Sequence, residues 1–251
     1  MTKPTEIELH VGHYGDGTGA RGIVDEVQYA RKFIKRIYNI LIAGGVPATY
    51  YEDTVSKNQT QNINNLIKHH NADRNGFIVS GHLNASGGRT NESIGVEVLY
   101  YDQKVVAQNV ANAIATISGM KNRGAKQRTD LGVLARTYEP AVLIEFGFVN
   151  SKKDVELMDK YFEEICQAVA QQLATAIGKT LNVSTTNKKE EKEVIQLLND
   201  TGRKEIRTLL KKARDKGIID AEAHTDAKIN AYDDVQLLSY QAAVINRTFD
   251  K

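Results

Sequence analysis

Over residues 1–180, short runs of β-branched and aromatic residues alternate with longer segments whose apolar positions recur every three or four residues. The short runs, at residues 6–11, 48–51, 77–80, 95–101 and 141–146, predict strands, because β-branched character bounded by turn residues suits a pleated, buried ladder. The longer segments, at residues 24–43, 60–70, 104–117 and 153–177, predict helices. In the first of these Val27, Ala30, Ile34, Ile37, Tyr38 and Leu41 form one apolar stripe, and Gly44-Gly45 ends it. Ser151-Lys152-Lys153-Asp154 has the polar spacing of an N-terminal helix cap. Strands alternating with helices predict an α/β domain, an open twisted mixed sheet with helices on both faces.

The pattern breaks at residues 181–189, where Ser184, Thr185, Thr186, Asn187 and two lysines carry no apolar period. This stretch reads as a linker between a domain at 1–180 and a small all-helical module at 190–251. In the module, stripes run through Val194, Leu197 and Leu198, through Ile206, Leu209, Leu210 and Ala213, and over residues 235–245 around Leu238 and Val244. So few large apolar groups make a marginal core, which predicts that the module leans on a partner or pairs with itself as a homodimer.

Composition narrows the classes. With 41% apolar and 25% charged residues in a chain of 251, disorder and collagen-like readings fall away. Thirty-three Lys and Arg against 31 Asp and Glu leave a net charge of +2, so no general field draws the chain to nucleic acid. The single cysteine, Cys166, permits no internal disulfide and suits a reducing compartment. The N-terminus lacks the charged start and apolar run of a secretory signal, and no stretch reaches the ~18 apolar residues of a membrane span. The expectation is a soluble protein, made in the cytoplasm and not inserted in a membrane.

The candidate chemistry lies at predicted strand ends. His13 follows the first strand, Glu26 opens the next helix, His82 follows the strand at 77–80, and Glu145 closes the strand at 141–146. In open α/β sheets the carboxyl ends of strands gather at one edge, where ligands bind. Two imidazoles and a carboxylate match a catalytic zinc with an open fourth position, and a second carboxylate can carry the proton such chemistry moves.

Four ordered blocks carry a resemblance: His10-Val11-Gly12-His13, then Glu26, then Ser80-Gly81-His82-Leu83-Asn84-Ala85, then the run from Val142 through Glu145 to Asn150. Together they resemble zinc-dependent N-acetylmuramoyl-L-alanine amidases of the Amidase_3 type, over residues 6–177. The resemblance implies that His13, Glu26 and His82 hold Zn2+, that Glu145 is the catalytic acid, and that the substrate is the amide joining N-acetylmuramic acid to L-alanine in bacterial peptidoglycan. Without an export signal, it implies a phage or prophage endolysin released onto the wall, with a host mother-cell lysis amidase or a non-catalytic wall-binding protein as alternatives. The 190–251 module then reads as binding a secondary wall polymer or a second copy. The sequence departs from the family where His10 replaces a frequent Asp and where the Ser-Ile-His-Ala-Asn block reads Ser80-Gly81-His82-Leu83-Asn84. His10 is assigned to orienting His13, or else it packs beneath the sheet.

Other features have plainer readings. Gly17-Thr18-Gly19-Ala20-Arg21-Gly22 satisfies a dinucleotide fingerprint, but Glu52 lies farther on than the ~20 residues expected of its acidic partner. Bending the loop between His13 and Glu26 is the competing role for these glycines. His69 and His70 read as cations offsetting a helix dipole, His224 as an exposed residue, and Cys166 as a buried thiol. Arg203, Lys204, Arg207, Lys211, Lys212, Arg214 and Lys216 read as a solvated face or a site for an anionic polymer. Asn84, on the same side of an extended segment as His82, contacts substrate or bonds its own backbone. Asn150 reads as capping the turn into the next helix.

Overall fold

The computed structural model describes residues 3–182, 200–222, 224–232, 237, 240 and 244. Contacts divide the chain into two compact units, Met1–Asn182 and Val183–Lys251.

The first unit is built on six strands: β1 (Glu6–Val11), β2 (Ala48–Tyr51), β3 (Gly76–Asn84), β4 (Val96–Tyr100), β5 (Asn122–Gln127) and β6 (Ala141–Phe148), in the order β2-β1-β3-β6-β4-β5. β1, β2, β3 and β6 run parallel, β4 runs antiparallel to β6, and β5 follows β4 in parallel, so the sheet is mixed. The helices are α1 (Glu26–Ala43), α2 (Gln59–His70), α3 (Lys104–Ser118), α4 (Gly132–Ala135), α5 (Lys152–Lys160) and α6 (Phe162–Ala176).

Alternation along the strands decides what each face buries. Ile7, Leu9 and Val11 of β1, Phe77 and Val79 of β3, and Ile144 and Phe146 of β6 join α1, α3 and α6 in one core, where Phe33 stacks on Phe146 at 4.4 Å. On the other face Ile78, Leu99, Ala141 and Leu143 meet Leu66 of α2 and Val133 and Leu134 of α4. Along β1 and β3 that second face also carries Glu8, His10 and Ser80, all buried.

Three differences from the sequence reading have physical causes. β5 reads as loop because Asn122-Arg123-Gly124-Ala125-Lys126-Gln127 has no β-branched apolar residue; it survives as an edge strand with few buried side chains. The segment read as one helix over 153–177 is two, broken at Tyr161, whose φ of −112° and ψ of 26° leave the helical region. β3 and β6 run beyond the predicted ends at 80 and 146, so His82 stands on β3 rather than after it.

The segment 85–95 joins β3 to the reversed β4 and is fastened along its length. Asn150 accepts from Ser86 N and donates to Ser86 O and Gly88 O, Ser151 Oγ donates to Glu92 O, and Asp154 accepts from Ser93 Oγ and Gly95 N. Asn150 therefore clamps this segment, and the cap of α5 is Ser151, which accepts from Asp154 N at 3.0 Å.

In the second unit, α7 (Asp200–Asp215) and α8 (Asp226–Ala231) enclose Ile206, Leu210, Ala213, Ile219 and Ile229 with Leu237 and Val244. Its basic residues are partly spent internally: Arg214 pairs with Asp215 and Asp226, Lys211 with Asp226, and Arg207 donates to Tyr232 O. His224 is not exposed as expected; it is half-buried, its Nδ1 is 2.8 Å from the Tyr232 hydroxyl, and its ring meets Tyr240 edge-on. The linker from residue 183 onward and the stripe through Val194, Leu197 and Leu198 lie outside the described residues, as do Val235 and Leu238.

Candidate metal centre

The parallel strands β1, β3 and β6 end together, and their register brings distant residues side by side. His82 pairs with Glu145 across β3 and β6, while His10 and Val11 pair with Ser80 and Gly81, so Gly12 and His13 leave β1 beside His82. The chain then turns sharply: His13 has a φ of 67°, a left-handed conformation uncommon for a residue with a Cβ. Asn62 Nδ2 holds that turn by donating to His13 O at 2.8 Å.

Glu26 arrives from another direction, in the first turn of α1 behind the N-cap Asp25, whose side chain accepts from Gln28 N. A carboxylate there is favoured by the helix dipole. Its Oε2 accepts from Ala20 N at 2.6 Å, which leaves Oε1 facing His13 Nε2 at 3.0 Å and His82 Nδ1 at 2.8 Å. One ligand atom from each of His13, Glu26 and His82 lies within 4.8 Å of the others.

The glycines of the connecting loop serve this convergence. A Cβ on Gly19 would stand 2.7 Å from Glu26 Oε2 and 2.8 Å from His13 Cδ2, and one on Gly22 would stand 2.4 Å from Val149 O. Glu52, the acid a dinucleotide reading requires, pairs with Arg31 and accepts from Tyr50. Gly12 has a like role, since a Cβ there would lie 2.2–2.6 Å from the His82 ring.

Charge is distributed unevenly over the site. Burial pushes the Glu26 carboxyl up, but hydrogen bonds from His13 and His82 outweigh it and hold the group well below the usual carboxylate range. Burial pulls the His13 imidazolium down, and Glu26 more than reverses this. Glu145 goes the other way: burial first, then the charges of Glu26 and Glu97, raise its pKa to about 8, against a smaller pull from Arg128. Its side chain is partly exposed, yet Oε2 is out of solvent with no hydrogen-bond partner.

Glu97 is the acid that sequence reasoning missed. It faces Glu145 across the antiparallel β4–β6 pair and is held by Arg123 Nε at 2.6 Å and Asn84 Nδ2 at 2.8 Å. A single acid inside an apolar strand was its only signal, and its partner Arg123 lies on β5. Asn84 has both polar ends engaged, because its Oδ1 also accepts from Ala85 N at 2.7 Å.

His10 is fully buried on the sheet face below the site, and its recorded hydrogen bond runs to His70 rather than to His13. His70 Nδ1 is 2.5 Å from Glu8 Oε2, and His70 Nε2 is 2.8 Å from His10 Nδ1. With Glu8 ionised, His70 donates to it and accepts from His10, leaving His10 Nε2 as an acceptor; that atom is buried without a partner. His70 is thus no exposed cation at the end of α2: burial lowers its pKa to about 4. His69 instead stacks on Tyr51, with ring centroids 3.9 Å apart. Cys166 is fully buried, and burial raises its thiol far above the ordinary range.

The donor set fits a borderline divalent ion such as zinc, which takes imidazole nitrogen and carboxylate oxygen. The outer contacts fit as well. His13 Nδ1 lies 3.2 Å from Gln59 Oε1, an acceptor that fixes the tautomer with Nε2 toward the site. Two imidazoles, one low-pKa carboxylate and one raised carboxyl at the carboxyl edge of an α/β sheet mark out a candidate metal-dependent hydrolase.

The comparisons with known proteins are more specific. Residues 7–179 match the Amidase_3 family, described as N-acetylmuramoyl-L-alanine amidase, and the chain belongs to that family. Among curated proteins it is 28% identical over 203 residues to the endolysin of Bacillus phage SPP1, covering 73% of this chain and 70% of the relative. It is 27% identical over 187 residues to an uncharacterized 38.4 kDa protein of Clostridium perfringens, covering 70% of this chain and 52% of that one. The chain spans about half the length of the two Clostridium perfringens relatives it matches. Among solved structures, the catalytic domain of the CD27L endolysin targeting Clostridia Difficile superposes with a TM-score of 0.60 at 27% identity, covering 71% of this chain and 99% of that domain. The AmiC2 amidase of Nostoc punctiforme shares the fold, with a TM-score of 0.57 at 24% identity over 71% of this chain and 100% of that one.

Proposed function

We propose that this chain is a zinc-dependent amidase that cuts the bond between the lactyl group of N-acetylmuramic acid and the first L-alanine of the stem peptide in bacterial peptidoglycan. The observation that carries the reading is the meeting of His13, Glu26 and His82 beside the raised carboxyl of Glu145. His13, Glu26 and His82 would hold the ion. When bound, it supplies Lewis acidity toward the scissile carbonyl and toward water, and a positive charge that favours ionised neighbouring carboxyls.

The remaining work belongs to Glu145. Ionised, it takes the proton of the attacking water; protonated, it passes that proton to the amide nitrogen as the carbon–nitrogen bond breaks. Burial beside Glu26 and Glu97 raises the Glu145 carboxyl in the metal-free chain, and the positive charge of a bound ion would act against that rise, the opposing influences that suit a group working in both forms. Glu97, held by Arg123 and Asn84, stands across the strand pair from it.

The relationship to the Bacillus phage SPP1 endolysin supports a role in lysis of the host wall. The 190–251 module would then hold a secondary wall polymer or a second copy of the chain. Among the described residues, no helix is long and apolar enough to cross a membrane.

Mass spectrometry of peptidoglycan digested by the zinc-loaded chain tests the reading. The expected products are stem peptides with a free L-alanine amine and glycan with unsubstituted lactyl carboxyls, absent after chelation and restored by zinc. New reducing ends without free alanine amines, or cleavage that survives metal removal, would overturn it.

A further inference from the structure

Arg89 stands at the rim of the candidate metal centre, in the fastened segment between β3 and β4. Exposed arginines are ordinary, and this one is set apart by its lack of an acid. Arg21, Arg31, Arg36, Arg123 and Arg128 each pair with a carboxylate. Among the described residues Arg89 makes no ion pair; its side chain makes one hydrogen bond, from Nη2 to Gly22 O at 3.1 Å, which leaves the rest of its N–H fork open.

The guanidinium is nonetheless aimed. Gly88 O accepts from Asn150 Nδ2 at 2.8 Å and Thr90 N donates to Asn150 O at 3.0 Å, so the backbone is fixed on both sides of Arg89. The opposite bank hangs from the same place, because Ile23 N donates to Val149 O at 2.7 Å. Arg89 and Gly22 therefore face each other across a gap set by Val149 and Asn150. Gly22 closely follows Ala20, whose N–H holds Glu26, so the fork lies beside the proposed zinc ligands.

Gly22 also opens a cleft of about 440 Å³, lined by residues of the stretch 21–29. Ile23 is 40% exposed there. The polar groups around it are engaged: Arg21 is drawn back over Gly17 and onto Asp25, and the Tyr29 hydroxyl donates to Asp159. A ligand entering this cleft meets an apolar side chain beside a guanidinium that is unpaired and already placed.

We propose, resting on the amidase reading above, that Arg89 holds a carboxylate of the stem peptide and so favours substrates whose stem is acidic. A guanidinium meets a carboxylate through two parallel N–H bonds. Of the two halves of the substrate, the N-acetyl sugars carry no charge and the lactyl carboxyl is tied up in the scissile amide, whereas the peptide keeps free carboxylates. Ile23 then receives an alkyl group of the same peptide. Because the backbone on both sides of Arg89 is fixed beforehand, little ordering is left to offset the contact at binding.

The test uses the full zinc-loaded chain and compares an N-acetylmuramoyl-L-alanyl peptide bearing free stem carboxylates with the same peptide bearing carboxamides in their place. kcat/KM should favour the carboxylate form by about tenfold or more, carried by KM. Arg89→Gln should bring that ratio to within about twofold of one, and Arg89→Lys, which keeps the charge and loses the fork, should restore part of it. Zinc content and the unfolding midpoint report that both variants are folded. Calorimetry with the corresponding free L-alanyl peptides should give the same ratio in Kd. If neither substrate is cut, the amidase reading fails and the Kd ratio alone decides on Arg89. A wild-type ratio near one, or a ratio kept in Arg89→Gln, overturns the proposal.

Discussion

Replacing Glu145 by Gln keeps the shape of the side chain and removes its titration. The group's pKa rises from 4.5 to about 8 in the folded chain, which corresponds to about 5 kcal/mol of differential stability. For a carboxyl raised by folding, the folded state binds more protons, so its contribution is complete below pH 4.5 and is lost as the pH climbs to about 8. In the metal-free protein, the stability gap between Glu145→Gln and wild type should therefore widen in favour of the variant. From pH 5 to pH 9 the increase is about 4 kcal/mol, most of it below pH 8. Glu8, raised to about 7, acts in the same direction but is common to both proteins and cancels in the difference. Urea unfolding followed by circular dichroism at pH 5, 7 and 9 reads the gap as a shift in midpoint of about 1 M or more. With zinc restored, the variant should bind metal as before and turn over about 10²–10⁴-fold more slowly. Parallel pH curves for the two proteins, or turnover within a factor of a few of wild type, would refute both the charge environment and the role assigned to Glu145.

Three further substitutions probe the surroundings. Gln59→Ala removes the acceptor on His13 Nδ1 and should weaken zinc binding about 10–100-fold in competition with a chromogenic chelator, with little change in fold. Gly12→Ala places a Cβ against the His82 ring; zinc content after gel filtration should fall, and full zinc occupancy would show that the ring can move aside. His70→Leu leaves Glu8 and His10 buried without their shared partner, at a cost of about 3 kcal/mol or more by thermal unfolding.

What the sequence revealed, and what it hid, follows from how each signal is written. Val27 to Leu41 and the runs ending at Val11 and Phe146 are dense in apolar residues at one period, because both sheet faces are covered, and so the α/β architecture was legible. The meeting of His13, Glu26 and His82 was legible because His13 follows β1, Glu26 opens α1, and His82, although on β3, lies near its carboxyl end behind Gly81. β5 was not, since an edge strand needs no apolar period. Nor was the link from His70 to Glu8 and His10, because a histidine in the last turn of a helix has the same local sequence whether it faces water or a strand. Only the packing of α2 against β1, which brings together residues 62 positions apart, decides between them. Glu97 was hidden for the related reason that its meaning depends on the cross-strand partner Glu145.

The reversal of β4 has a consequence for how a polymer could approach. Because β4 starts where β3 and β6 end, residues 85–95 stay at the carboxyl edge instead of returning across a sheet face. Asn150, Ser151 and Asp154 rivet this stretch to the end of β6 and the start of α5, and Arg89 reaches Gly22 O on the far bank. A rim fastened at so many points acts as a kerb rather than a flap: the wall on this side of the carboxyl edge is in place before anything arrives there.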